Sequence, residues 1–321
     1  MNILQSLKFV QGAVAKKDFV PALTHFRIKN NTVKAFNGNM AICGPIAVNL
    51  DISPNAEKLT KVIAACNDTV TLHMNDKGKL VVCSGDFKAF INCDNVDNFP
   101  NIVPTGERIT LKEPLIPALT YLEPYIAEDA SRPWSCGILF DQESAFATNN
   151  IVLVQHWLGF KFPMRVNIPR AAVEAILGIG ENPIALQFGE NRLSFHFTEG
   201  RWLSTQLLEA TWPDVATLLN TPSEEKQKPF PKGFWDALER LLPFCDDLGR
   251  CYLKPDCMAS RDNADLVGEN IEINLGIEGI FNARHLSNLK TIADTIAFSA
   301  YPAPVPFYGK RSRGIIVGIR K

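Results

Sequence analysis

Apolar positions along this chain follow two periods, one of about 3.6 residues and one of two, and the two alternate in a fixed order. Ile3, Leu4, Leu7, Val10 and Val14 line one side of a helix predicted over 2–17, with Lys8, Lys16 and Lys17 elsewhere on it. Leu59, Val62, Ile63 and Cys66 do the same for a helix over 55–67, opposite Lys58 and Lys61. Further helices are predicted over 169–178, 232–245 and 283–293. Helical spacing also runs from Leu111 to Asp129, but Pro117 and Pro124 remove amide donors there and predict a broken or shortened helix. Period-two alternation predicts strands at 193–197 and 271–275 and a final strand over 314–320. Asp76-Lys77-Gly78 and Gly189-Glu190-Asn191 supply turns.

These elements repeat. Leu4 to Ile42 reads as a helix, a turn at Pro21, a strand through Phe26 and Ile28, a polar turn at Asn30-Asn31, then Ala35-Phe36-Asn37-Gly38-Asn39. Leu115 to Leu153 runs in the same order through Pro133-Trp134, Ile138 to Phe140, Asp141-Gln142 and Ala145-Phe146-Ala147-Thr148-Asn149-Asn150. Each unit then gives a second helix, short strands and a closing aromatic-proline pair, Phe99-Pro100 or Trp212-Pro213. A third, weaker copy follows a Pro- and Lys-rich linker at 221–231. The repeat predicts an α+β protein of three domains, 1–104, 105–220 and 221–321, each with two amphipathic helices packed on antiparallel strands.

Composition narrows the function. The 321 residues, 46% of them hydrophobic, suffice for two or three cores. Apolar runs such as Ile151 to Val154 fall far short of the roughly 20 residues of a membrane span, so a soluble chain with no membrane partner is expected. A net charge of -1 excludes binding nucleic acid over the whole exterior, so any such surface is local. The five continuous helices carry ten Lys or Arg against four Asp or Glu, so their exposed stripes are basic, as solvated helix faces commonly are. Eight cysteines lack CxxC spacing, which points to a reducing, cytoplasmic setting; Cys245, Cys251 and Cys257 recur evenly but have no histidine to complete a ligand set. No metal and no cofactor are expected. Walker A, GxSxG, HExxH and DxD-type patterns are absent, the adjacent acidic pair Asp246-Asp247 at a helix end has no partner carboxylate beside it in the sequence, and His196 alternates with Phe195 and Phe197 onto a solvated face, so the chain is read as non-enzymatic.

The chain resembles the bacterial-type DNA polymerase III beta sliding clamp over nearly its whole length. Leu4-Gln5-Ser6-Leu7 through Pro21-Ala22-Leu23, Asp97-Asn98-Phe99-Pro100-Asn101-Ile102, Ile168-Pro169-Arg170-Ala171-Ala172-Val173, Trp212-Pro213-Asp214-Val215, Phe281-Asn282 and Ile315-Ile316-Val317-Gly318-Ile319-Arg320 carry the likeness. Each motif is short; their order and spacing, on an independent threefold repeat, make the match, and the divergence suggests a phage or mobile-element version. The resemblance implies a homodimeric six-domain ring that encircles double-stranded DNA without reading its sequence, is placed by a clamp loader, and tethers a replicative DNA polymerase.

It also implies sites. A partner-peptide pocket matches Thr148, Leu153, Pro213, Leu218, Ile315, Val317 and Ile319. The DNA-facing positions are Lys8, Lys16, Lys17, Lys58, Lys61, Arg132, Trp134, Arg170, Arg284 and Lys290, and the dimer interface uses Ile91, Leu241 and Leu242. Several positions depart from the family: Asn150-Ile151-Val152 stands for a Gly-His-Arg run, Thr217 for a pocket arginine, Ser135 for a leucine, Gly318 for a proline and Ala89 for an aromatic. Two other readings compete, a structural virion protein of repeated sheet domains and a DNA-modifying nuclease.

Overall fold

A computed structural model describes residues 2–17, 19–220, 226–263 and 267–320. The first part of the expected linker, 221–225, lies outside the described residues. Among these residues are seven α-helices: α1 (Ile3–Val10), α2 (Ala56–Ala64), α3 (Ile116–Leu122), α4 (Arg170–Ile179), α5 (Val215–Asn220), α6 (Phe234–Leu241) and α7 (Ala283–Asn288). None is long and apolar enough to cross a membrane.

The helix ends follow from local chemistry. Asn2 and Gln5 cap α1 reciprocally, Asn2 Oδ1 accepting from Gln5 N at 2.8 Å and Gln5 Oε1 from Asn2 N at 3.1 Å. After one 3₁₀ turn over Gln11–Ala13 the chain becomes extended at Val14, so the helix is shorter than predicted and Lys16 and Lys17 stand on a loop beyond it. Gly12 and β-branched Val14 both disfavour further helix. The break expected between 111 and 129 is present: α3 carries Pro117 in its first turn and gives way to a 3₁₀ turn, Glu123–Tyr125, around Pro124. Pro243 similarly converts the end of α6 into a 3₁₀ turn over Leu242–Phe244.

The chain forms two compact units, Met1–Ile116 with Glu174–Leu207, and Pro117–Val173 with Leu208–Lys321. In the first unit a seven-stranded antiparallel sheet runs in the order 27–29, 32–36, 40–45, 202–206, 192–196, 185–188, 107–110. A four-stranded sheet runs 53–54, 87–94, 79–84, 71–74. The second unit holds an eight-stranded sheet in the order 166–169, 137–141, 144–148, 152–157, 312–316, 305–308, 295–296, 228–229. Its four-stranded sheet runs 270–272, 257–259, 250–253, 279–282. Each large sheet therefore joins strands of two successive repeats, through Cys43 opposite Trp202 in one and Leu153 opposite Ile315 in the other.

Helix stripes bury as their period requires. Leu7 and Val10 of α1 are fully buried, each worth roughly 1.5–3 kcal/mol on removal from water, and Leu59 and Ile63 of α2 are buried with them in the first unit. The final strand ends earlier than predicted, at Ile316. Val317 N still donates to Ile151 O at 2.9 Å, but Ile319 N donates to Ile280 O at 2.7 Å, so the chain crosses from the eight-stranded sheet to the four-stranded one. The predicted strand at 271–275 is confined to Asn270–Glu272; beyond it Ile273 and Leu275 bond the 255–256 turn.

Candidate peptide-binding site and basic surface

Within the second unit, Leu139, Phe146, Leu153, Trp212, Val215 and Leu219 form one buried cluster, with Trp134 and Ile315 half-buried against it. Strand alternation places Leu153 and Ile315 directly opposite each other on one sheet face, and α5 lays Val215 and Leu219 over them. Asp214 starts that helix, accepting from Thr217 N at 3.1 Å and from Thr217 Oγ1 at 2.5 Å. Leu218 on α5 and Val317 after the last strand are 48% and 40% exposed, so the cluster has an accessible apolar rim. Pro213 is also exposed.

Thr148 has a different role from an apolar wall. It is buried, its hydroxyl donating to Val152 O at 2.8 Å and accepting from Asn150 N at 3.1 Å, which fixes the turn before Leu153. Asn149 completes that turn by accepting from Ile151 N and Val152 N, and its Nδ2 lies 3.2 Å from His285 Nδ1 on α7. Ile319 belongs to a second, smaller cluster with Tyr252, Ala259 and Ile280. The seven positions named from sequence thus divide between two apolar patches, with Val317 on the stretch that joins them.

Trp134, expected to face nucleic acid, packs instead into the first cluster. Its ring meets that of Trp212 edge to face with centroids 5.0 Å apart, and Asn167 Nδ2 donates to its carbonyl at 2.9 Å. Both tryptophans wall the cluster, and the Trp212-Pro213 pair that closes the repeat is the sequence signal for it. Arg132, two residues before Trp134, is exposed and donates to Asn150 Oδ1 at 3.0 Å.

The other cations differ in what they face. Lys8, Lys16, Lys17, Lys58 and Arg284 are exposed. Lys61 pairs with Glu57 and Lys290 with Glu239, both at 2.6 Å on the surface, where such pairs stabilise little and are readily exchanged. Arg170 is a correction: it is half-buried, donates to Ile126 O and lies 3.8 Å from Glu123 and 3.9 Å from Glu128, so its charge is largely answered within the protein.

The expected interface residues are also relocated. Ile91 and Leu241 are buried inside their own units at 0% and 1% exposure and have no surface to offer, while Leu242 is partly exposed. Ile91 shares the inner sheet face with its register partner Leu80, and Leu241 lies on the buried stripe of α6. Exposed apolar side chains occur nearby: Phe244 and Leu248 after α6, and Met74, Phe87 and Phe90 on the four-stranded sheet of the first unit.

The residues weighed for chemistry have structural partners. Asp246 accepts from Arg250 N and Nε and lies 3.5 Å from Arg261, which holds its carboxyl below the usual carboxylate range. All eight cysteines are free; burial pushes Cys43 up to about 11 and raises Cys251 further. His196 is half-buried rather than solvated, with Nε2 2.8 Å from Gln187 Oε1. Among the described residues no three His, Cys, Asp or Glu side chains are grouped to hold a metal ion.

No family model and no curated protein matches the sequence. Solved structures do match. The C. crescentus beta sliding clamp is 17% identical with a TM-score of 0.82, covering 99% of this chain and 97% of that one. The Bartonella birtlesii sliding clamp, DNA polymerase III subunit beta, solved with griselimycin, is 18% identical with a TM-score of 0.82 over the same shares. The Helicobacter pylori beta clamp, solved with a DNA ligase peptide, is 16% identical with a TM-score of 0.78 over the same shares. At these identities the likeness is one of fold. The chain has the fold of the DNA polymerase III beta sliding clamps from end to end.

Proposed function

We propose that the chain is a sliding clamp: a non-enzymatic, sequence-independent tether that closes around duplex DNA as a ring of two head-to-tail copies. Each copy supplies three repeats, with boundaries near 105 and 221. The observation that carries this reading is the match in fold over 99% of this chain and 97% of the solved clamps. Lys8, Lys16, Lys17, Lys58, Lys61, Arg284 and Lys290 are the cations that face DNA phosphates, at the salt-sensitive strength that sliding requires.

The Leu153–Ile315 cluster, with its exposed Leu218 and Val317, is the seat for a short peptide of the replicative polymerase and of the clamp loader. The H. pylori clamp of the same fold is seen with such a peptide, from a DNA ligase. Phe244 and Leu248 on one copy, against the sheet bearing Met74 and Phe90 on the next, provide the ring-closing contact. The test is retention. Loaded onto nicked circular DNA at a salt concentration that strips direct electrostatic binders, the protein stays; on linear DNA of the same length it is lost. Equal retention on both rules out a closed ring.

A further inference from the structure

We propose that the peptide seated at the Leu153–Ile315 cluster carries a carboxylate next to its apolar anchor, and that Arg313 receives it. The inference rests on the reading of that cluster as a partner site. Its geometric basis is the strand register: Leu153 faces Ile315, and Gln155 faces Arg313. Residues two apart on a strand share a face about 7 Å apart, so Arg313 emerges beside the apolar cluster on the same surface.

The guanidinium is held in place by neutral groups. Nε donates to Gln155 Oε1 at 2.7 Å, Nη2 donates to Asn220 Oδ1 at the end of α5 at 2.8 Å, and the guanidinium carbon lies 5.7 Å from the centre of a Trp157 ring. Trp157 is 38% exposed, so the stack is open to the surface. Among the described residues no carboxylate lies within ion-pair distance of Arg313, and no hydrogen bond is formed by Nη1. The rim does include one carboxylate, Asp214, but both its oxygens are taken by Thr217. Arg27, Arg201 and Arg250 each have their own acid in Asp51, Glu181 and Asp246.

A fixed planar cation, oriented by an amide at each side and an aromatic ring, is pre-organised for the two oxygens of a carboxylate. Side-chain entropy has already been given up in the free protein, so less is lost on binding. Asn220 and Gln155 are neutral and can remain bonded while the open edge of the guanidinium takes the ligand. The site is therefore an apolar hole with one positive corner, which selects an acidic-apolar peptide over a purely apolar one.

The experiment uses fluorescent peptides with a pair of adjacent Leu residues as the apolar anchor in a Gly-Ser background, carrying Asp either two residues before or two residues after the pair, each with an Asn counterpart. The full-length protein is titrated by fluorescence polarisation. One Asp peptide is expected to bind roughly fivefold more tightly than its Asn twin, the scale of one partly solvated charge pair. Arg313→Gln brings the Asp peptide's affinity down to that of its Asn twin, read at a temperature below the variant's own melting transition because the substitution also removes the bonds to Gln155 and Asn220. Arg313→Lys, which keeps the charge and loses the planar fork, retains part of the preference and reads the same effect if the glutamine variant fails to fold. Equal binding of Asp and Asn peptides, or a preference that survives Arg313→Gln, overturns the assignment of Arg313 while leaving the peptide site standing. Binding of none of the four overturns the peptide site as well.

Discussion

Gly318 lies flat against the Tyr301 ring: a Cβ at position 318 would stand 2.6 Å from two ring carbons and 3.1 Å from the Ile280 carbonyl oxygen. Tyr301 cannot yield easily, because its hydroxyl donates to Ile319 O at 2.7 Å and its ring packs 5.7 Å from Phe281. Gly318→Ala is therefore expected to cost about 1–3 kcal/mol by overpacking. Tyr301→Leu in the same chain should recover part of it. Thermal melts of the single and double variants check this, and additive losses would show that the two positions are not in conflict.

Leu153 and Val317 test what belongs to the core and what belongs to the rim. Leu153 is 5% exposed, so Leu153→Ala should destabilise by about 2–5 kcal/mol, with any loss of peptide binding following from that. Val317 is 40% exposed, and Val317→Ala should melt within about 0.5 kcal/mol of the parent while weakening a bound peptide. A melt and a titration on each variant separate the two outcomes.

Ring closure is read through Leu248. Leu248→Asp, on a side chain 64% exposed, is expected to give a folded monomer, since a charge buried unpaired in an apolar seam is strongly opposed. Leu241→Asp, at 1% exposure, should instead unfold the protein. Light scattering across protein concentration, beside a melt, reads both. A Leu248→Asp protein that remains dimeric places the seam elsewhere.

Acid should weaken the second unit through His156. Its Nδ1 is 2.9 Å from Ser312 Oγ, and burial, aided by Arg311, lowers its pKa from 6.5 to about 4. In the unfolded chain this ring takes a proton near pH 6.5, and in the folded chain only near 4, so its contribution is complete above 6.5 and is lost as the pH falls towards 4. Burial also lowers His196 and His285, which act in the same direction. The melting temperature should fall over that interval, and His156→Gln should reduce the slope without abolishing it. An unchanged slope in the variant would refute the assignment.

The helical stripes were legible because an α-helix records its buried side every three or four residues, and Pro117 and Pro124 break the helix where their missing amides require, whereas the predicted helix over 232–245 runs past the stop that Pro243 imposes. The turn at Asn30-Asn31 was equally plain, both residues adopting positive φ. Other features depend on distant chain. Period two tells which residues of a strand share a face but not which face is covered, so nothing local in the sequence marks Ile91, placed at the interface by the resemblance, as a buried residue opposite Leu80. The direction of the Trp134 ring is set by Trp212, across sequence too long for local pattern to report. Six-residue α5 is too short to show a helical period, and so the element that covers the candidate groove went unread.

The pairing of strand Met40–Pro45 with strand Trp202–Gln206 has a consequence for biosynthesis. A ribosome that has delivered the first repeat has delivered a sheet with an unfinished side. Hydrogen-bonding groups on strand 40–45 then wait, facing water or a chaperone, until Gln206 has cleared the exit tunnel. The same delay applies to strand Val152–Trp157, whose neighbour Ser312–Ile316 is made only after the whole intervening stretch of chain. Translation speed between these paired segments thus governs how long each nascent edge is open to a stray strand from a neighbouring polysome.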